Sequence, residues 1–197
     1  MHAFILFDHP HEKSYCHALL NAAIAGLGEA GHTYDLVDLN REDFDPVMRL
    51  EDLKLYGEGR SSDPTVADYQ RRIDAADHLV MVFPVWWEVM PALSKGFLDK
   101  VFLPGWSFEE TTGMVPKGLL SRLRATVVTT MGFPTWYYRL FFGNALKGAL
   151  LQGTFGFVGI PRRRRTWINI GNVGRISEAT RARRLEAVRR HFAGLRA

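Results

Sequence analysis

Residues 83–102, FPVWWEVMPALSKGFLDKVF, put two adjacent tryptophans between a proline that stops a strand and a proline that opens a helix. The run before them, HLVMV (78–82), is apolar and rich in β-branched residues, the pattern of a buried strand. Pro84 lacks the N–H that a ladder needs, and Pro91 stands where a helix start tolerates proline. Loops at the carboxyl ends of parallel strands are where open α/β sheets bind ligands. Trp86 and Trp87 in such a loop suit a flat, aromatic ligand; in a bland reading they are core or interface residues.

Two further loops carry chemistry. DHPHEKSYCH (8–17) follows the apolar run 3–7 and leads into a helix, whose free N–H groups and positive dipole end form an anion site. Ser14 can cap that helix, His9 and Lys13 can add donors, and the amides of Tyr15 and Cys16 can point at a phosphate. Near a helix N-terminus the Cys16 thiol can have a lowered pKa. Asp8, His9, His11, Cys16 and His17 do not match a structural zinc pattern, and no metal is expected. The third loop lies within TTMGFPTWYY (129–138). Gly132 there lets backbone approach a ring or phosphate closely. Tyr137 can donate a hydrogen bond to an oxygen that becomes negative during a reaction. Gly26, Gly28 and Gly31 spell G-x-G-x-x-G, but they end a helix and precede a strand, so they read as a helix terminus.

Strands are expected at 3–7, 33–39, 78–83, 124–130 and 154–158, with 166–170 extending or flanking the sheet. Helices are expected at 15–30, around 50–56, from the Asp63 cap to about 76, and at 91–102 and 136–151. Ser177 caps a last amphipathic helix. Strands alternating with helices imply a parallel sheet covered on both faces. With right-handed crossovers, five strands make the flavodoxin-like order 2-1-3-4-5 the expected topology, in one domain over residues 1–197.

The 197 residues are 47% hydrophobic and 23% charged, ordinary for a globular protein. No apolar run approaches the ~20 residues needed to cross a bilayer, and the first ten residues read as a strand rather than a signal peptide. No membrane insertion is expected. One cysteine excludes an internal disulfide and fits a reducing cytosol, so a cytoplasmic location is expected. The net charge is +4 and the pI about 9.4, with basic residues concentrated at 162–165 and in the last helix. No nucleic-acid motif accompanies them, so they read as a solvated face.

At these residues the chain resembles the flavodoxin-like NAD(P)H:quinone oxidoreductases, including bacterial members associated with potassium efflux systems. FPVWWEVMPALSKGFLDKVF is similar to that family's FP-x-x-W…PA-x-LKG…D-x-VF, with Ser94 in place of a leucine. HP…S-Y-C resembles its phosphate loop, TTMG its TTGG, and GWSF (105–108) a segment after the third helix. The resemblance implies a homodimer with FMN or FAD at sites shared across the interface. His9, Ser14, Tyr15 and Cys16 would hold the phosphate end; Pro84, Val85, Trp86 and Trp87 would line the ring. Thr129, Thr130, Met131 and Gly132 would approach the ring's polar edge, with Tyr137 as the catalytic donor. NAD(P)H would reduce the flavin, leave, and be replaced by a quinone. The family's relay histidine position is Gly143 here, which leaves Tyr137 without that partner. Two other functions fit the same motifs: a flavin- or nucleotide-binding regulatory subunit of a membrane transporter, and a flavodoxin-type electron carrier. The high pI weighs against the carrier.

Overall fold

Apolar and alternating segments become the strands of one parallel sheet: β1 (His2–Phe7), β2 (Thr33–Asp38), β3 (His78–Pro84), β6 (Arg124–Thr130) and β7 (Arg165–Ile170). The computed structural model describes residues 1–196. The strand order is β2-β1-β3-β6-β7, and every neighbouring pair is parallel. A two-stranded hairpin, β4 (Phe108–Glu109) and β5 (Lys117–Gly118), stands apart from the sheet. The helices are α1 (Tyr15–Glu29), α2 (Leu50–Tyr56), α3 (Thr65–Asp74), α4 (Ala92–Val101), α5 (Thr135–Phe141) and α7 (Glu178–Ala193). A π-helical segment, Lys147–Thr154, runs into the short α6 (Phe155–Phe157).

The sheet sorts its side chains by the period of two that strands impose. Val80 and Val82 of β3 face the core built by α1 and α7. Leu79, Met81 and Phe83 face the core built by α3, α4 and the π-helical segment. Close packing of α1 on α7 depends on Gly26, because a Cβ there would collide with the Arg189 carbonyl.

The expected order 2-1-3-4-5 holds, but its fifth strand lies elsewhere. Residues 154–158 continue the π-helical segment, and Arg165–Ile170 pairs with β6. Short apolar runs do not distinguish strand from buried helix. RTWINI has the alternation of a half-buried strand: Ile168 and Ile170 pack on the α1 side, Trp167 on the other. Arg165 also donates to the carbonyls of Leu151 and Ile160, bonding the backbone on either side of the supposed strand.

One buried charge cluster anchors the irregular segment 40–64. Lys100 of α4 is 3% exposed; its Nζ donates to the Asp45 carbonyl at 3.0 Å and lies 3.5 Å from Asp63 and 3.8 Å from Asp52. Burial opposes ionisation of Asp52, but hydrogen bonds from Arg49 N–H, Ser62 and Ser61 outweigh it and hold the carboxyl down at about 2. Replacing Lys100 by methionine strands buried carboxylates, and an expected ~3–5 kcal/mol loss should register in urea denaturation. The folded Asp52 pKa lies below its ordinary 3.8, so its contribution is full above pH 3.8 and fades as pH falls towards 2. Asp52→Asn should flatten that acid limb; an unchanged acid limb counts against the cluster.

Candidate functional site

Because β3 lies between β1 and β6, the loops that follow these strands meet at one edge. Asp8 N–H donates to the Val82 carbonyl at 3.0 Å, and Val85 N–H to the Thr130 carbonyl at 2.7 Å. The His9 ring stands 6.2 Å from that of Trp86.

In the first loop Ser14 caps α1, its Oγ accepting from His17 N–H at 3.1 Å. Tyr15 and Cys16 are the first helical residues, and N–H groups there have no intrahelical acceptor. Those amides, with the positive end of the helix dipole, form an anion cradle. The two side chains are engaged elsewhere. The Tyr15 hydroxyl donates to the Arg181 carbonyl at 2.8 Å. The Cys16 Sγ lies 3.1 Å from Thr130 Oγ1, and burial pushes the thiol up to about 11. The expected lowering of its pKa is therefore reversed, because desolvation of a thiolate exceeds the help of the helix end. Burial, then the neighbouring His11, lowers the His9 pKa. Its Nδ1 accepts from His11 N–H at 3.0 Å, which leaves Nε2 as the donor of the neutral ring.

Asp8 has a role that sequence reasoning missed. It is buried; Oδ2 accepts from Ser94 N–H at 2.9 Å and Ser94 Oγ at 2.7 Å, and Oδ1 from Asn40 Nδ2 at 3.1 Å. It ties the first loop to α4. The available signal was an acidic residue placed directly after a fully apolar strand.

The tryptophan loop is a strained turn. Trp86 and Val89 exchange N–H···O bonds of 3.0 and 3.2 Å around Trp87 (φ 45°) and Glu88 (φ 70°). Two left-handed residues in a two-residue turn normally call for Asn-Gly. Here they set Trp87 almost wholly in solvent, 96% exposed, next to the half-exposed Trp86. The buried Tyr138 holds the turn: its hydroxyl donates to the Glu88 carbonyl at 2.6 Å and accepts from Leu146 N–H at 2.7 Å. Glu88 Oε2 and Asn144 Oδ1 are buried with no hydrogen-bond partner among the described residues. Sequence analysis singled out neither these nor Tyr138's hydroxyl bonds.

In the third loop most polar groups are already used. Thr129 Oγ1 donates to Asn169 Oδ1 at 2.8 Å and accepts from Trp167 Nε1 at 2.9 Å. Thr130 Oγ1 is the partner of Cys16. Met131 is buried, its N–H bonded to the Ile170 carbonyl and its own carbonyl to Val173 N–H. Gly132 alone of the four is exposed, with nothing within 4 Å of where a Cβ would stand. Gly171 lets the loop after β7 close on this one; a Cβ there would lie 2.7 Å from Thr135 N. Tyr137 is half-buried among Phe133, Trp136, Phe141 and Phe142, at centroid distances of 4.6 to 5.8 Å.

Fold and site together define an open parallel α/β sheet with an anion cradle and an aromatic turn at its carboxyl edge. A family described as flavodoxin-like fold matches residues 1–192, and the chain belongs to that family. It is 29% identical over 165 residues to an uncharacterized NAD(P)H oxidoreductase of Haemophilus influenzae, covering 81% of this chain and 79% of that one. It is 27% identical over 178 residues to the NAD(P)H dehydrogenase (quinone) 1 of Cavia porcellus, 80% of this chain but 64% of the relative. The solved NAD(P)H:quinone oxidoreductase from Methanothermobacter marburgensis matches with a TM-score of 0.85 at 28% identity, over 100% of this chain and 96% of that one. An FMN-dependent NADH-azoreductase from Bacillus anthracis, solved with FMN, shares the fold at a TM-score of 0.81 and 16% identity, over 98% of each chain.

Left-handed conformation costs a non-glycine residue about 1–2 kcal/mol. Replacing Trp87 and Glu88 together by Asn and Gly should therefore raise unfolding stability by about 1–2 kcal/mol in urea titrations, while flavin affinity falls. A variant that is no more stable removes the case for strain.

Proposed function

We propose that the protein is a flavin-dependent NAD(P)H:quinone oxidoreductase working by alternating occupancy of one open site. The observation that carries this reading is the meeting, at one sheet edge, of the α1 amides, the tryptophan turn and the open backbone at Gly132. The quinone-reductase names of the relatives support it.

The residues fit a flavin, FMN or FAD alike. His9, Ser14 and the amides of Tyr15 and Cys16 would take the phosphate end. Pro84, Val85, Trp86 and Trp87 would face the ring, and the 129–132 segment would offer backbone to its polar edge. Thr129 and Thr130 would line that edge by shape, since their hydroxyls are committed within the protein and their backbone is paired with β3 and β7, which leaves Gly132 as the open backbone. Such a cofactor would supply the hydride chemistry, and the protein orientation and electrostatics. Tyr137 would be the side-chain donor to developing negative charge. The solvent-facing Trp87 would leave one face open to NAD(P)H and quinone in turn.

The protein would act as a homodimer. A cavity of about 720 Å³ between α4 and the π-helical segment is lined by Met90, Leu98, Phe102 and Phe157, with the ion-paired Lys95 and Asp99. An isologous contact sets a patch against itself, and a patch carrying both signs can pair with its own copy.

Purified protein should quench FMN or FAD fluorescence at micromolar concentration and oxidise NADH or NADPH when menadione is present. A colourless protein that quenches neither flavin removes the proposal. Tyr137→Phe should slow anaerobic flavin reduction roughly ten- to hundred-fold, about 1.4–2.7 kcal/mol of barrier, with flavin affinity little changed. Stopped-flow rates equal to the parent's would take the catalytic role from Tyr137.

A further inference from the structure

Between Glu110 and Glu178 the chain carries no Asp or Glu and ten Lys or Arg. This stretch builds β6, β7, α5 and the π-helical segment: Arg124 and Arg162–Arg165 stand at the amino ends of β6 and β7, while Arg139 and Arg175 stand on the elements that follow those strands at the carboxyl edge. The same edge presents large apolar side chains: Trp136, Leu140 and Phe141 of α5 are each more than 60% exposed, and Phe133 beside them is half exposed. Arg139 lies among them, lining a shallow depression with Trp136 and Leu140. Arg175 stands nearby on the loop whose Asn172 N–H donates to the Phe133 carbonyl. Among the described residues neither arginine joins an ion pair. The flanking acids are Glu88, with one carboxylate oxygen buried, and Glu178 at the start of α7.

We propose that this face docks on an anionic lipid bilayer, and that the site draws its quinone from that bilayer. The second half rests on the oxidoreductase reading. Aromatic and aliphatic tips interleaved with arginine suit the headgroup boundary of an acidic membrane. A second copy suits it less. A two-fold contact would set arginine-bearing patch against arginine-bearing patch, with few acids to answer them. No helix among the described residues is long and apolar enough to cross a membrane, so the attachment is peripheral. The patch continues into the candidate site, because Phe133 and Trp136 pack on Tyr137 at 5.8 and 5.7 Å.

The test is co-sedimentation of the flavin-loaded protein with vesicles of phosphatidylcholine alone and of an equimolar mixture with phosphatidylglycerol. Binding is expected only to the anionic vesicles and should weaken as salt rises. The double variant Arg139→Glu, Leu140→Ser should lose roughly ten-fold or more in vesicle affinity. Its turnover with menadione in vesicle-free buffer should stay at the parental level, while reduction of a long-chain quinone held in the anionic vesicles drops. No binding to anionic vesicles, or equal binding by the variant, overturns the proposal. So does a variant that sediments as monomer where the parent is a dimer, which would assign the face to a second copy. Vesicle binding without menadione turnover supports the docking surface and overturns only the quinone half.

Discussion

Every group at the candidate site takes its position from β3. Its seven residues are all buried, paired on one side with β1 and on the other with β6. A parallel strand covered on both faces has to be apolar throughout, and HLVMVFP meets that demand except at His78. That histidine is kept neutral: burial drives its pKa down to about 4, and Nε2 shares a 2.9 Å hydrogen bond with Thr126. With register set on both sides, β6 ends level with Pro84 and β1 two residues earlier, level with Val82. The anion cradle and the Gly132 loop can then meet the tryptophan turn only where that strand stops.

The turn is under strain, and its restraint also orients the proposed catalytic side chain. Tyr138 is buried and grips the Glu88 carbonyl from one side and Leu146 N–H from the other. Successive residues on a helix point about 100° apart. Burying Tyr138 therefore turns Tyr137 outward, onto the Phe133 and Phe141 rings that line the edge. One short helix thus holds the strained loop with one tyrosine and offers the next to the site. The stability lost at Trp87 and Glu88 is offset by the two hydrogen bonds of the buried Tyr138 hydroxyl.

The sequence made the sheet order legible because each crossover helix carries its own periodicity and caps; Ser14 and Ser177 both cap as their positions imply. The fifth strand was harder. TFGFV is aromatic yet helical, while RTWINI carries its arginine and asparagine into the sheet, where Arg165 bonds carbonyls and Asn169 bonds Thr129. At the site, residue types were readable but their commitments were not. Cys16 meets Thr130, 114 positions away, and Tyr15 meets Arg181 across 166. Parallel crossovers separate such partners in the chain. A threonine whose hydroxyl is free and one already engaged look identical until the strands are laid side by side.

The same topology turns a pattern along the chain into a field across the molecule. In the order β2-β1-β3-β6-β7 the earlier strands form one side of the sheet and the later ones the other. The acidic residues of the first half are widely paired: Asp35 with Arg72, Glu12 with Arg41, Asp52 and Asp63 with Lys100. In the second half Arg122 pairs with Asp74 and Arg189 with Glu29 and Glu186, but the arginines before β7 are satisfied differently. Arg164 donates to the carbonyls of Ser121 and Arg122, and Arg165 to those of Leu151 and Ile160. A carbonyl accepts the hydrogen bond without cancelling the charge. The first half is therefore largely neutralised at short range, while Arg164 and Arg165 keep their positive charge at the amino end of β7, the edge opposite the one where the three loops meet.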